Sequence, residues 1–232
     1  MTCAITLHYL YDPLCAWCYG AKPLIEEARG LLPVVGHGGG MMTGTHRRRV
    51  STSWRDYVMP QDLRIEAQTG QPFGMAYFNG LLRDTSAVLD SEPPTTAILA
   101  VENMAGRGLE LLARLQTAHF VEGRRIAEEH VLIAVIAAMG LDIDGFLAAY
   151  DTAKGEETRL HIHRSRQLMA TVGAQGFPTL VLQCATEYRV IDLAPYLGKP
   201  HAFAHWLRQR ITQENDHTHG ASPACGLNGG KE

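Results

Sequence analysis

Two cysteines, Cys15 and Cys18, lie between a predicted strand and a predicted helix, and this placement constrains the fold more than any other feature of the sequence. Residues 4–11 are apolar, aromatic and β-branched, as in a buried strand, and residues 15 to about 32 have the apolar spacing of a helix. The free N–H groups of a first helical turn stabilise an anion, so a cysteine there ionises more readily than a free one. Because the thiolate is the species that attacks a disulfide, the placement favours thiol-disulfide chemistry.

The order of the remaining elements predicts an α/β protein with the thioredoxin fold, interrupted by helices. A second strand is expected over 32–42, where a triple glycine should form the floor of a site. Helical periodicity dominates from about 51 to 155, and another helix is expected over about 156–172. A strand pair over 179–191 and a helix over about 201–212 follow. With the inserted helices removed, the order is strand, helix, strand, helix, strand, strand, helix.

The pattern divides the chain into three parts. Residues 1–50 together with 156–214 are expected to form a discontinuous thioredoxin-like domain, and residues 51–155 an all-helical insertion domain. Residues 215–232 are polar and rich in Gly and His, and they are expected to be a disordered tail. At 232 residues, 46% of them hydrophobic, the chain is long and apolar enough for a sizeable core.

The charge balance argues against two classes of partner. The formal net charge is −3, which is unlike a nucleic-acid-binding body or a polybasic membrane surface, and the short basic run 46–49 is expected to be a solvated loop. The first ten residues lack the features of a secretory signal, and no later apolar run approaches the about 18 residues that a bilayer requires. We therefore expect a cytoplasmic protein with no nucleic-acid partner and no membrane partner.

A proline far along the chain is the second chemical signal. In the run Gly176-Phe177-Pro178-Thr179, Pro178 lies immediately before a predicted strand, which is a position where a residue without an N–H is tolerated. The X–Pro bond is the one peptide bond at which the cis form costs little, so we expect a cis bond before Pro178. Trp17, between the two cysteines, offers apolar surface beside a reactive sulfur and is a candidate for binding an extended substrate.

Together these motifs resemble a known family. The run Asp12 to Gly20, followed by Lys22-Pro23 and later by Gly176 to Thr179 before a strand pair, is similar to the DsbA-like branch of the thioredoxin superfamily. More narrowly, it resembles the cytoplasmic predicted protein-disulfide isomerases with a C-x-x-C motif. A proline five residues after the second cysteine recurs in thioredoxin-like active-site helices, and Pro23 predicts a kink in the first helix.

The resemblance implies a role for each matched residue. Cys15 would be the exposed nucleophile and Cys18 would resolve the mixed disulfide. Pro178 would face the cysteine pair, and the backbone of Phe177 would bind an extended substrate. Asp12 has two interpretations, as a proton relay to Cys18 or as a helix cap or turn former.

The same resemblance implies the reaction partners. Protein or small-molecule thiols and disulfides would be the substrates, and neither a metal nor an organic cofactor is expected to be required. Glutathione remains a reasonable co-substrate, because a reducing cytosol needs something to recycle the cysteine pair. The sequence therefore predicts a thiol-disulfide oxidoreductase or isomerase.

Three alternatives remain open at this stage. A zinc site would need about two further ligands at matching spacing, and no second C-x-x-C or Cys/His pair lies close in sequence to Cys15 and Cys18. Kappa-class glutathione transferases and related glutathione-dependent isomerases look similar in fold, but they typically place serine where Cys15 stands. The third alternative is a non-catalytic redox-sensing module, in which the disulfide only switches a binding surface.

Overall fold

A four-stranded sheet forms the centre of the computed structural model, which describes residues 5–220. The strands are β1 (Ile5–Tyr11), β2 (Val34–Gly38), β3 (Arg48–Arg49), β4 (Val88–Leu89), β5 (Thr179–Cys184) and β6 (Glu187–Ile191). The central sheet has the order β2-β1-β5-β6, in which β1 is parallel to β2 and antiparallel to β5, and β6 is antiparallel to β5. The predicted α/β class and the predicted strand pair are confirmed.

Helices account for most of the rest of the described chain. They are α1 (Ala16–Gly20), α2 (Lys22–Arg29), α3 (Thr52–Thr69), α4 (Glu92–Ala105), α5 (Gly108–Phe120), α6 (Glu129–Ala138), α7 (Ile143–Ala153), α8 (Glu156–Thr171) and α9 (Pro200–Gly220). Helix α8 contacts β2, and α2 contacts α9. The strand and helix order, with α3 to α7 inserted between β2 and α8, is that of a DsbA-like thioredoxin fold.

The first predicted helix is two helices rather than one kinked helix. Helix α1 ends at Gly20, and α2 begins at Lys22 with Pro23 in its first turn. Proline has no N–H to continue the hydrogen-bond ladder, but in the first turn of a helix that N–H has no partner anyway. Pro23 therefore starts a new helix, and the short α1 carries Cys18 and Tyr19 into the core.

The inserted segment is helical with one exception that the sequence did not predict. Strand β4 pairs with β3 over two residues on each side, Arg48 with Leu89 and Arg49 with Val88. Two-residue strands are too short to produce a recognisable period-2 pattern. The pairing ties the entry of the insertion to the segment that leads into α4.

The structure defines the start of α7 and both ends of α9. Asp142 caps α7, and its carboxylate accepts the Gly145 N–H at 3.1 Å. Helix α9 starts close to the predicted residue 201, but it continues to Gly220, beyond the predicted end near 212 and into the expected tail. The rest of that tail, 221–232, lies outside the described residues.

Gly74 provides a test of how tightly the inserted segment is packed. Its N–H donates to the Phe120 carbonyl at 2.9 Å, and a Cβ at this position would stand 1.9 Å from the Val121 carbonyl oxygen. We expect Gly74→Ala to lower the free energy of unfolding by about 2–3 kcal/mol, because the opposing atom is backbone and cannot rotate away. Denaturant-induced unfolding measures this difference.

The matched control is Gly80→Ala, where the described structure has no atom within 4 Å of the new methyl group. This variant should stay within about 1 kcal/mol of the wild-type protein. If Gly74→Ala and Gly80→Ala are equally stable, Gly74 does not pack against the Val121 backbone as described.

Candidate active site

Both cysteines of the C-x-x-C motif are buried free cysteines, although the resemblance implied an exposed Cys15. Cys15 is the N-cap of α1, and its Sγ accepts the Cys18 N–H at 3.4 Å. Cys15 retains 7% of its surface whereas Cys18 retains 0%. Cys15 is therefore the more accessible residue of the pair.

Burial also governs the ionisation of the inner thiol. The pKa of Cys18 is raised well above its ordinary value, first by burial and then by its hydrogen bond and charge interaction with Cys15. A hydrogen bond with the Asp12 backbone lowers the pKa of Cys18 and offsets only part of the rise. Cys18 is therefore a neutral thiol near pH 7 when the pair is reduced.

The proline loop before β5 lies against the sulfur of Cys15. The Phe177–Pro178 bond is cis, as predicted, and the Cys15 thiol donates to the Phe177 carbonyl at 3.5 Å. This contact joins two segments that are 162 residues apart in sequence. The fold thus brings together the two motifs that carried the resemblance.

An open groove of about 620 Å³ extends from the cysteine motif along this loop. Trp17, Phe177 and Pro178 line it, together with Arg64 and the start of the segment that follows β6. The three residues predicted to bind substrate therefore share one surface.

The triple-glycine loop lies beneath Phe177. A Cβ at Gly39 would stand 1.9 Å from the Phe177 ring, so the ring position requires a glycine there. Arg166 on α8 donates to the Gly39 and Gly40 carbonyls at 2.9 and 2.6 Å, and the Gly38 N–H donates to His161 Nε2 at 3.0 Å.

His161 and Arg166 both lie on α8, a helix that the sequence predicts. A helix pattern gives the spacing of such residues but not the loop that they meet, so the sequence carried no clear signal for these contacts. In the fold, both residues hold the glycine loop under the site.

Asp12 is fully buried and accepts three hydrogen bonds. They come from the N–H groups of Leu14 (2.9 Å) and Met41 (2.5 Å) and from the Ser91 hydroxyl (2.9 Å). Burial raises the pKa of Asp12, and these hydrogen bonds and the charge of Arg166 partly offset the rise. The bond to Leu14 N–H is that of a turn former, the second interpretation given above, and the bonds to Met41 and Ser91 were not foreseen.

A smaller cavity, about 200 Å³ in volume, also borders the cysteine motif; we call it the inner cavity. Cys15 and Trp17 line one part of it, and the buried side chains of Asp62, Tyr77 and His119 line another. Burial raises the pKa of Asp62 to about 7, against the lowering effect of a 3.0 Å hydrogen bond from the Tyr77 hydroxyl. No sequence motif marked these three residues.

The side chains that the structure describes, those of residues 5–214, include no group of three or more His, Cys, Asp or Glu placed to hold a metal ion. None of the described helices is long and apolar enough to cross a membrane.

Solved structures similar to this one decide the family. The structure of DsbM, a cytosolic disulfide reductase from Pseudomonas aeruginosa, is 52% identical with a TM-score of 0.85, covering 90% of this chain and 99% of that one. The chain belongs to the DsbA-like disulfide oxidoreductases. The enzyme is a thiol-disulfide oxidoreductase with a DsbA-like thioredoxin fold, as the sequence predicted, and the cytosolic description of its relative confirms the cytoplasmic location.

Other comparisons agree with this assignment. DsbM has also been solved with GSH, and that structure is 52% identical with a TM-score of 0.83, covering 89% of this chain and 99% of that one. A Nitrosomonas europaea protein proposed to be a disulfide isomerase is 25% identical, with a TM-score of 0.71 and coverage of 88% and 98%. No family model matches the enzyme's sequence, and no curated protein does.

The buried carboxyl of Asp62 makes the stability of the enzyme depend on pH. An aspartate in an unfolded chain has a pKa of about 3.9, whereas Asp62 in the folded enzyme has a pKa of about 7. The folded state binds this proton more tightly, so the stability that Asp62 contributes is present below about pH 4 and is lost as the pH rises towards 7. We expect Asp62→Asn to remove that loss, which is at most about 4 kcal/mol.

Unfolding by denaturant at pH 5 and pH 8 measures the effect. The free energy of unfolding of Asp62→Asn should exceed that of the wild-type enzyme at pH 8, and the difference should be smaller at pH 5. Asp56→Asn is the matched control, because Asp56 lies on the same helix with 65% of its side chain exposed. If Asp62→Asn and Asp56→Asn show the same pH dependence, the burial argument is wrong.

Proposed function

We propose that the enzyme reduces disulfides through a mixed disulfide at Cys15, which Cys18 resolves. The observation that carries this proposal is the asymmetry of the pair: Cys15 retains 7% of its surface and contacts the Phe177 carbonyl, whereas Cys18 is fully buried. The relative described as a disulfide reductase supports the reducing direction. The transferase alternative has less support, since both cysteines are present where a transferase would place serine at position 15.

The proposed reaction begins from the reduced pair. The Cys15 thiolate attacks one sulfur of the substrate disulfide, that S–S bond breaks, and the other sulfur leaves as a thiol after taking a proton. Cys18 then loses its proton and attacks Cys15 Sγ, which releases the second half of the substrate as a thiol. The substrate gains two electrons and the Cys15–Cys18 pair becomes a disulfide. Because burial raises the pKa of Cys18, its deprotonation belongs to this second step.

The proposed substrate-binding surface is the groove beside the proline loop. An extended substrate would lie against the backbone of Phe177, next to Pro178, and pack on the Trp17 ring. Asp12 would act as a positioning residue, because its hydrogen bonds hold the turn before Cys15 and the loop at Met41. The hydrogen bonds to its carboxylate leave the proton-relay role with less support.

Glutathione is the co-substrate that we propose for returning the pair to its reduced state. The DsbM structure with GSH supports this choice. One glutathione thiolate would attack the oxidised pair and form a mixed disulfide, and a second would release oxidised glutathione and the reduced pair. The electron balance closes with two glutathione molecules oxidised for each substrate disulfide reduced.

The domain division remains part of the proposal. Residues 1–50 with 156–214 would form the thioredoxin-like unit, and residues 51–155 the inserted helical unit. The contacts between β1, β2 and β5 and those among α4, α5 and α7 support this division, since each set lies within one unit.

Single replacements of the two cysteines test the mechanism. Cys15→Ser should abolish the glutathione-dependent reduction of insulin, because it removes the attacking sulfur. Cys18→Ser should retain the first step but lose resolution, so the protein should gain the mass of one glutathionyl group when mixed with oxidised glutathione. Turnover and intact-protein mass spectrometry measure the two effects.

Full turnover by Cys15→Ser would refute the proposed mechanism. The reducing direction has its own measurement, the reduction potential of the pair against glutathione, for which 30 mV corresponds to about 1.4 kcal/mol. A potential well above that of glutathione would identify an oxidant instead.

A further inference from the structure

The lining of the inner cavity includes an acid, Asp62, that is almost completely buried. Asp62 is 2% exposed and Tyr77 is 4% exposed. Within the described residues, the Asp62 carboxylate receives one hydrogen bond, from the Tyr77 hydroxyl to Oδ2. Each carboxylate oxygen can accept about two hydrogen bonds, so the group has acceptor capacity left. The disulfide chemistry proposed above makes no use of Asp62.

His119 lies beside the same acid, because its ring centre is 5.5 Å from that of Tyr77. It is 3% exposed, and its Nδ1 is buried without a hydrogen-bond partner among the described residues. Burial lowers the pKa of His119 to about 4, against the raising effect of the Arg124 backbone, so the imidazole is neutral near pH 7. A neutral imidazole does not compete with a bound cation for the Asp62 carboxylate.

The size of the inner cavity limits what it can hold. Its volume of about 200 Å³ exceeds that of one water molecule, which takes about 30 Å³ in the liquid, but is below the about 300–1,000 Å³ of common ligand pockets. It can therefore hold a group of a few heavy atoms beside Cys15, and not a whole tripeptide. Much of the remaining lining is apolar and includes Ile65 and Phe120.

We propose that the inner cavity binds the small, ammonium-bearing half of a disulfide whose sulfur Cys15 attacks, and that Asp62 is the residue that selects the cation. The proposal rests on the function proposed above. The negative carboxylate of Asp62 accepts hydrogen bonds, and an ammonium group donates three. Hydrogen bonds between charged groups are also stronger than neutral ones.

Three nearby arginines would attract an anionic substrate instead of a cationic one, but they do not line the inner cavity. Arg47, Arg48 and Arg49 line an open cleft that shares its border with the inner cavity at Trp54 and Tyr57. Arg47 is 3.3 Å from Asp90, and the Arg48 guanidinium lies 4.3 Å from the centre of the Trp54 ring, so both already have partners. An anionic substrate is therefore the competing outcome.

Three small disulfides of different charge separate these outcomes. Reduced enzyme is mixed at pH 8 with cystamine (two ammonium groups), bis(2-hydroxyethyl) disulfide (neutral) or 3,3′-dithiodipropionate (two carboxylates). Each converts the reduced pair to its disulfide and yields two thiols, so no other reductant is needed. The second-order rate constant is followed by tryptophan fluorescence.

We expect Asp62→Asn to slow the reaction with cystamine by about 10-fold, which corresponds to about 1.4 kcal/mol, and to change the rate with the neutral disulfide less than twofold. Asp62→Glu should retain most of the preference because it keeps the charge. Asp56→Asn, the same chemical change at an exposed position of α3, should leave all three rates unchanged. Circular dichroism checks that each variant is folded.

Two results would overturn the proposal. An equal effect of Asp62→Asn on all three disulfides would show a structural role, and a wild-type preference for the anionic disulfide that persists in Asp62→Asn would assign selection to the arginines. Failure of the proposed function looks different, because Cys15→Ser would then react with the disulfides as fast as the wild-type enzyme.

Discussion

The buried carboxylate of Asp12 is the junction on which the active site depends. It receives hydrogen bonds from the turn before Cys15, from Met41 at the end of the glycine loop and from Ser91 just before α4. A buried acid is costly unless such donors compensate it, so the three segments must meet for the site to form. The reactive cysteine, the floor under Phe177 and the start of a helix in the inserted segment are thus fixed relative to one another.

Around this junction, burial distinguishes two chemically identical thiols. Cys15 caps a helix of only five residues and retains some exposure, while Cys18, one turn later, is fully enclosed and has a raised pKa. The order of attack in the proposed mechanism follows from that difference rather than from any difference between the residues themselves. The Phe177 carbonyl, next to the cis bond to Pro178, contacts the Cys15 thiol.

Two recesses meet at Trp17 and divide the surface around Cys15. The groove along the proline loop is open, whereas the inner cavity is small and Asp62 and His119 are part of its lining. In our proposals the groove holds an extended substrate, and the inner cavity, lined in part by the inserted helices, selects which small group lies next to Cys15.

The sequence by itself determined the order of the elements and the cysteine pair at the start of the first helix. That position of Cys15 and Cys18 and the cis bond before Pro178 were predictable because each depends on local covalent properties and on short-range periodicity. The break at Ala21, the short β3–β4 pair and the anchoring of the glycine loop by His161 and Arg166 were not. Only the tertiary structure decided these, along with the inner cavity of Asp62, Tyr77 and His119, because they arise where segments remote in sequence pack together, and no local pattern encodes which side chains will meet there.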